Sequence, residues 1–232
     1  LFIASPLNAE NRADAYALSV ESSIMRAANN EKPFTAGLYL GRHVNGDIYR
    51  TVPPAEAIAT HILNGAKRLH IYGYSGLDDG GVLFRMDEIF KESLKTGIHW
   101  ASEVIPLLTE PRTKEVALLF PAEMSLFEPL EVDENGHNRM DLLGWYQQFR
   151  DLGYHSDILH PDQIVSGKLT NYRYLVVPHN SLYDLGNNKD LEIAVKEFVE
   201  NGGTLFHSPH CDLAKNALGI EEESIEFDCI RA

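Results

Sequence analysis

Cysteine is scarce in this chain of 232 residues: only Cys211 and Cys229 occur, and no Cys-x-x-Cys pair. Two cysteines make no disulfide framework, so a reducing compartment, the cytoplasm, is expected. Basic side chains are also few, 20 Lys and Arg against 34 Asp and Glu, for a formal net charge of −14. That balance argues against nucleic acid and anionic membranes as partners, because phosphate binding needs a basic footprint. The acidic residues are scattered, with one short run at Glu221, Glu222 and Glu223, as on a solvated surface. No apolar run approaches the roughly 20 residues of a membrane span, and no signal-peptide pattern opens the chain. Neither Gly-x-x-x-x-Gly-Lys-Ser/Thr nor Gly-x-Gly-x-x-Gly is present, so no phosphate cradle is legible and no cofactor is expected.

What the chain does have is enough apolar material for a core, 44% hydrophobic against 23% charged residues. Its length allows one large domain or two modest ones. The first half alternates strand-like and helix-like segments. LFIAS precedes the helical spacing of Ala17, Val20, Ile24 and Ala27; FTAGLYL precedes AEAIATHILNGA; RLHIYGY precedes a helix expected over about 86–108. Strand then helix, three times, is the repeat of a parallel α/β protein. The charged, proline-bearing TEPRTKE marks a domain boundary. Beyond it EVALLF, HSDIL, YRYLVVP and TLFHS are predicted strands, with helices over MDLLGWYQQFRDLG and NKDLEIAVKEFVE. YRYLVVP is apolar throughout, as in the middle of a parallel sheet. Gly202 and Gly203 close the second helix and turn the chain into TLFHS. The second half is expected to be a small doubly wound, flavodoxin-like sheet. Leu1 already lies inside an apolar run and the chain stops at CIRA, so a longer parent polypeptide is expected.

Candidate chemistry is sparse. His207, His210 and Cys211 follow a predicted strand, but a structural zinc needs four ligands and nothing completes the set; an ordinary loop accounts for them and no metal is expected. Cys211 as a nucleophile on a strand-to-helix turn would want small neighbours, and it has His210 and Asp212. The loop SGLDDGG follows RLHIYGY, so in a barrel it would lie at the carboxyl end of a strand, where active sites are built. Tyr72, Tyr74, Asp78 and Asp79 could there stack on and hydrogen-bond a sugar; a plain polar loop is the alternative. Glu21, Glu56 and Asp47 are the other carboxylates near such loops, with Glu21 expected on a solvated helix face.

The order WYQQFRDLGYHSDILHP, NYRYLVVPHNSLY, LEIAVKEFVENGGTLFHSP resembles the trimerisation domain of glycoside hydrolase family 42, the β-galactosidases, over roughly Lys114 to Pro209. IMRAANNEKPF and PAEAIATHILNGAKRLHIYGY resemble the segments before the seventh strand and through the eighth strand of that family's catalytic barrel. The resemblance implies an α/β chain: the closing part of a (β/α)8 barrel over 1–110, then a flavodoxin-like (class I glutamine amidotransferase-like) doubly wound parallel sheet over 114–220. Residues 221–232 would begin a further segment. A whole barrel takes about 250 residues, so this is its closing third.

The resemblance also implies hydrolysis of terminal β-galactosides by a parent enzyme, a carbohydrate substrate and a homotrimer. The family's acid/base glutamate would lie upstream of Leu1. Its nucleophilic glutamate follows Lys-Pro-Phe, and Gly37 to Leu40 hold no carboxylate here, although retaining glycosidases need two, about 5–5.5 Å apart. The family's aromatic-Arg-Trp pattern on strand eight is here Tyr72-Gly73-Tyr74, without the arginine. Two readings follow: a fragment of a β-galactosidase-like hydrolase whose second domain serves oligomerisation, or a non-catalytic carbohydrate-binding or scaffolding protein on a degenerate barrel. An amidotransferase-like enzyme using Cys211 is the third.

Overall fold

The computed structural model describes residues 13–39, 53–72, 88–109, 113–121, 137–179, 188–208 and 212–221. Within them lie two parallel sheets, one of two strands and one of four. The α/β class expected from the strand–helix alternation is therefore present.

The first sheet pairs β1 (Phe34–Tyr39) with β2 (Ala66–Tyr72). Phe34, Ala36 and Leu38 point to one side, as the two-residue period of a strand requires, and are buried there. Helices α1 (Ala13–Ala28), α2 (Pro54–Leu63) and α3 (Glu88–Val104) supply the matching apolar surface: Leu18, Met25, Ile58, Ile62, Leu94 and Ala101. The opposite side carries Thr35, Gly37, Arg68 and His70, all exposed. Pro106 marks the end of the third helix, which stops at Val104, four residues short of the expected position, and tightens into a 3-10 turn over Ile105–Leu107.

The second sheet runs β4-β3-β5-β6, all parallel, from β3 (Val116–Leu119), β4 (Ser156–Leu159), β5 (Tyr174–Val177) and β6 (Thr204–His207). YRYLVVP supplies β5, one of the two strands paired on both sides, as its unbroken apolar run anticipates. One face (Ala117, Leu119, Leu159, Leu175, Val177) packs on α5 (Pro161–Val165), α6 (Lys189–Glu200) and α7 (Asp212–Leu218). The other (Val116, Leu118, Ile158, Val176) packs on α4 (His137–Asp151) and on Val20 and Ile24 of α1. Each fully buried aliphatic side chain here contributes about 1.5–3 kcal/mol. Sequence reasoning missed the short α5 and the 3-10 turn at Lys168–Asn171, because segments of five and four residues carry no readable period.

The glycine pair ending α6 divides its work. Gly202 has φ +93°, the left-handed value expected of a helix stop. Gly203 has no such backbone need; a Cβ there would lie 2.4 Å from the Phe198 ring. Phe198 is buried in the core, so the ring has nowhere to retreat. Gly203→Ala is expected to cost about 1–3 kcal/mol by overpacking, measurable as a lowered urea midpoint with unchanged slope.

Candidate functional site

At the carboxyl edge of the four-stranded sheet, Asp141 gathers two strands. Its Oδ2 accepts the His179 backbone N–H at 2.8 Å and the Ser208 hydroxyl. Ser208 is 5% exposed, and its Oγ accepts the Trp145 indole N–H at 2.8 Å. His179 follows β5 and Ser208 follows β6, so one carboxylate on α4 ties both strand ends to the helix above them. Beneath it Trp145, Phe149, Tyr154, Tyr174 and Phe206 pack together, mostly tilted or edge to face, with ring centroids 5.6–6.3 Å apart. Sheet edges of this kind are where α/β folds place ligands. Here Trp145, Ser208 and the His179 amide are all engaged within the protein. Asp141→Ala is expected to leave Ser208 and that amide short of an acceptor, lowering stability by about 1–3 kcal/mol on thermal melting.

The seam between the sheets is built around α1. The Arg26 guanidinium pairs with Asp157 on β4 and donates to the Asn64 carbonyl at 2.8 Å. Tyr172 donates to the other Asp157 oxygen at 2.9 Å. Burial, reinforced by the Asp157 carboxylate, pushes the Tyr172 phenol well above its ordinary range, so it stays a donor. Two turns earlier the Ser19 hydroxyl lies 2.6 Å from the fully buried Tyr146 hydroxyl, which reaches Asn64 Oδ1 at 3.4 Å. Gln163 donates to the Ala27 carbonyl at 2.9 Å.

The sugar-site residues expected from sequence fall almost wholly outside this frame. Tyr72 is the last residue of β2; Tyr74, Asp78 and Asp79 lie outside the described residues, as do Asp47, Leu40, His210 and Cys211. His207 ends β6, with Nδ1 3.2 Å from the Ser208 carbonyl. Among the described residues no group of three metal-binding side chains comes together. Glu56 is exposed in the first turn of α2.

Glu21 departs from expectation. It is half-buried rather than on a solvated face, and it lines a cleft of about 50 Å³ between α1, β1 and α2. Burial lifts its carboxyl from 4.5 to about 8. His61, 4% exposed, is another of its lining residues, and burial lowers its imidazole to about 4. Its Nδ1 is 2.8 Å from Ser22 Oγ, while Nε2 has no partner. Sequence reasoning placed His61 on a short buried helix without singling it out; its spacing from Ala57 and Ile58 was the available signal that it faces inward.

Residues 114–212 match the β-galactosidase trimerisation domain. That segment begins just before β3 and ends in the first residue of α7, so it takes in every strand of the four-stranded sheet. Among solved structures, a cold-adapted β-galactosidase from Rahnella sp. R3 aligns with TM-score 0.57 and 14% identity, over 84% of this chain and 30% of that one. At that identity the likeness is one of fold, and the present chain spans about a third of the relative's length. No curated protein matches. No helix among the described residues is long and apolar enough to cross a membrane.

Proposed function

We propose that this chain is the closing barrel segment and the oligomerisation domain of a β-galactosidase-like glycoside hydrolase. The observation that carries the reading is the trimerisation-domain match over residues 114–212, laid on a parallel sheet in the order β4-β3-β5-β6. Relative to the order of its own strands that is 2-1-3-4 with helices on both faces, which supports the flavodoxin-like reading. The first sheet supports the barrel assignment: among the described residues helices cover one side, and the other presents Thr35, Gly37, Arg68 and His70, as a barrel wall would. The domains proposed are 1–110 and 114–220, the compartment the cytoplasm that the cysteine count favours.

In this reading the parent enzyme cleaves terminal β-galactosides and the second domain associates into a homotrimer. Light scattering on the size-fractionated chain is expected to give three times the 26.0 kDa protomer mass. A single protomer mass at every concentration would remove the trimer.

A second reading has its own observation: Gly37 to Leu40 carry no carboxylate. It makes the parent a carbohydrate-binding scaffold, with Tyr72, Tyr74 and Asp78 as the sugar contacts in either case. Turnover of a nitrophenyl β-galactoside by the parent enzyme would eliminate the binding-only reading.

A further inference from the structure

We propose that the groove between α5 and the carboxyl end of α6 receives Leu152 of a second copy of this chain. The contact would repeat head to tail around the homotrimer proposed above, and it rests on that reading. A ring of three has no two-fold axis, so each interface joins two different patches of the same chain. Within the span that matches a trimerisation domain, the exposed large apolar side chains among the described residues are Leu152, Val165 and Ile193. Val165 and Ile193 lie on the neighbouring helices α5 and α6, on one face of the four-stranded sheet. Leu152 follows α4, on the opposite face. One chain can therefore offer each patch to a different neighbour.

The groove holds about 190 Å³. A cavity of about 150 Å³ takes a benzene-sized ring, so a leucine side chain fits with room to spare. Ile164, Leu169 and Phe198 make an apolar floor, and the exposed Val165 stands at the rim. Glu197 and Asn201 make the polar part of the rim, and neither side chain has a partner among the described residues. No Lys or Arg lines the groove, and the carboxyl end of α6 adds its partial negative charge. The setting suits an apolar insert flanked by a cation. Leu152 comes with such cations: it is 70% exposed in the turn where α4 stops, two residues beyond Arg150. Arg173 lies over the Tyr174 ring, 5.0 Å from its centroid, and Tyr174 meets Tyr154 edge to face just after that turn. Neither arginine makes an ion pair among the described residues. The carboxylates nearby are engaged, Asp151 by the Tyr16 hydroxyl and Glu115 by the His155 backbone N–H at 3.2 Å. Charges placed in this way set the register of a contact, while burial of the leucine supplies its affinity.

Leu152→Glu and Val165→Arg change exposed side chains of the full chain, so both variants should keep the wild-type circular dichroism. Light scattering is expected to show each falling from three protomer masses to one, with the half-assembly concentration raised at least about tenfold. Cross-linking gives a readout that does not depend on losing a contact. With Cys211→Ser and Cys229→Ser in place, a chain carrying both Leu152→Cys and Val165→Cys should oxidise to a covalent trimer. An equimolar mixture of the two single variants should give a covalent dimer, and either one alone only a protomer. Linked pairs from Leu152→Cys alone would mean a two-fold contact and overturn the proposal. Trimers that persist in Leu152→Glu and Val165→Arg, with no cross-link in the doubly substituted chain, would also overturn it while the trimer itself stands on another surface. Wild type at one protomer mass at every concentration would remove the trimer, and the role of the groove with it.

Discussion

Asp157→Ala is expected to destabilise the chain by about 3–5 kcal/mol, the largest effect of any single surface-sparing substitution here. The Arg26 and Asp157 side chains are only 7% and 11% exposed, so removing the carboxylate strands a guanidinium in low dielectric. It also takes the acceptor from Tyr172, buried beside it. Most of the loss would be the penalty of the abandoned cation, not the worth of the pair. The double replacement Arg26→Met with Asp157→Leu is therefore expected to recover most or all of the stability. The chain has two tryptophans, Trp100 in α3 against the first sheet and Trp145 in α4 against the second. Single-tryptophan variants can thus follow each sheet in urea. In wild type the two transitions should coincide; in Asp157→Ala they should separate, because the strongest tie between α1 and β4 is gone. Coincident, unshifted transitions in Asp157→Ala would show that apolar packing alone carries the seam.

The second large effect is a change in how stability depends on pH. Glu21 is raised from 4.5 to about 8, so between those values the folded state holds a proton that the unfolded state releases. Its contribution is undiminished below pH 4.5 and is lost as pH rises toward 8, by about 2–4 kcal/mol after allowance for partial exposure. His61 works in the opposite sense. Its folded value of about 4 lies below 6.5, so stability is lost as pH falls from 6.5 to 4, by about 3 kcal/mol. Between pH 4.5 and 6.5 the two slopes oppose each other. From 6.5 to 8 Glu21 is the one of the two that still acts, and it should cost wild type about 1–2 kcal/mol there. Glu21→Gln should abolish that decline and be the more stable protein at pH 8. Thermal melts across pH 5–9 for both proteins test it; parallel curves would refute the burial of Glu21.

Much of the architecture was legible locally. Strands such as YLVV and VALL announce themselves by apolar runs of strand length, and their helices by three-to-four-residue spacing, because each period follows from backbone geometry alone. The candidate sites were less legible. Tyr74 and Asp78 fall outside the described residues, Glu21 turned out to face a cleft rather than solvent, and His61 was not singled out at all. A helical wheel says that Glu21 and Ser22 occupy different directions on α1, but not which neighbouring element meets them.

The sequence by itself determined the α/β class, the strand–helix order, the helix stop at Gly202 and the likeness of residues 114–212 to a trimerisation domain. These rest on contacts between near neighbours along the chain, or on patterns extending through one domain. Only the tertiary structure decided that Arg26 meets Asp157 across 131 positions of sequence, that Tyr146 hangs its hydroxyl on Ser19, and that Glu21 and His61 line one cleft. Such pairings depend on how whole helices cross and lie on sheets. Desolvation then sets the protonation of the side chains caught between them, and no local pattern encodes that.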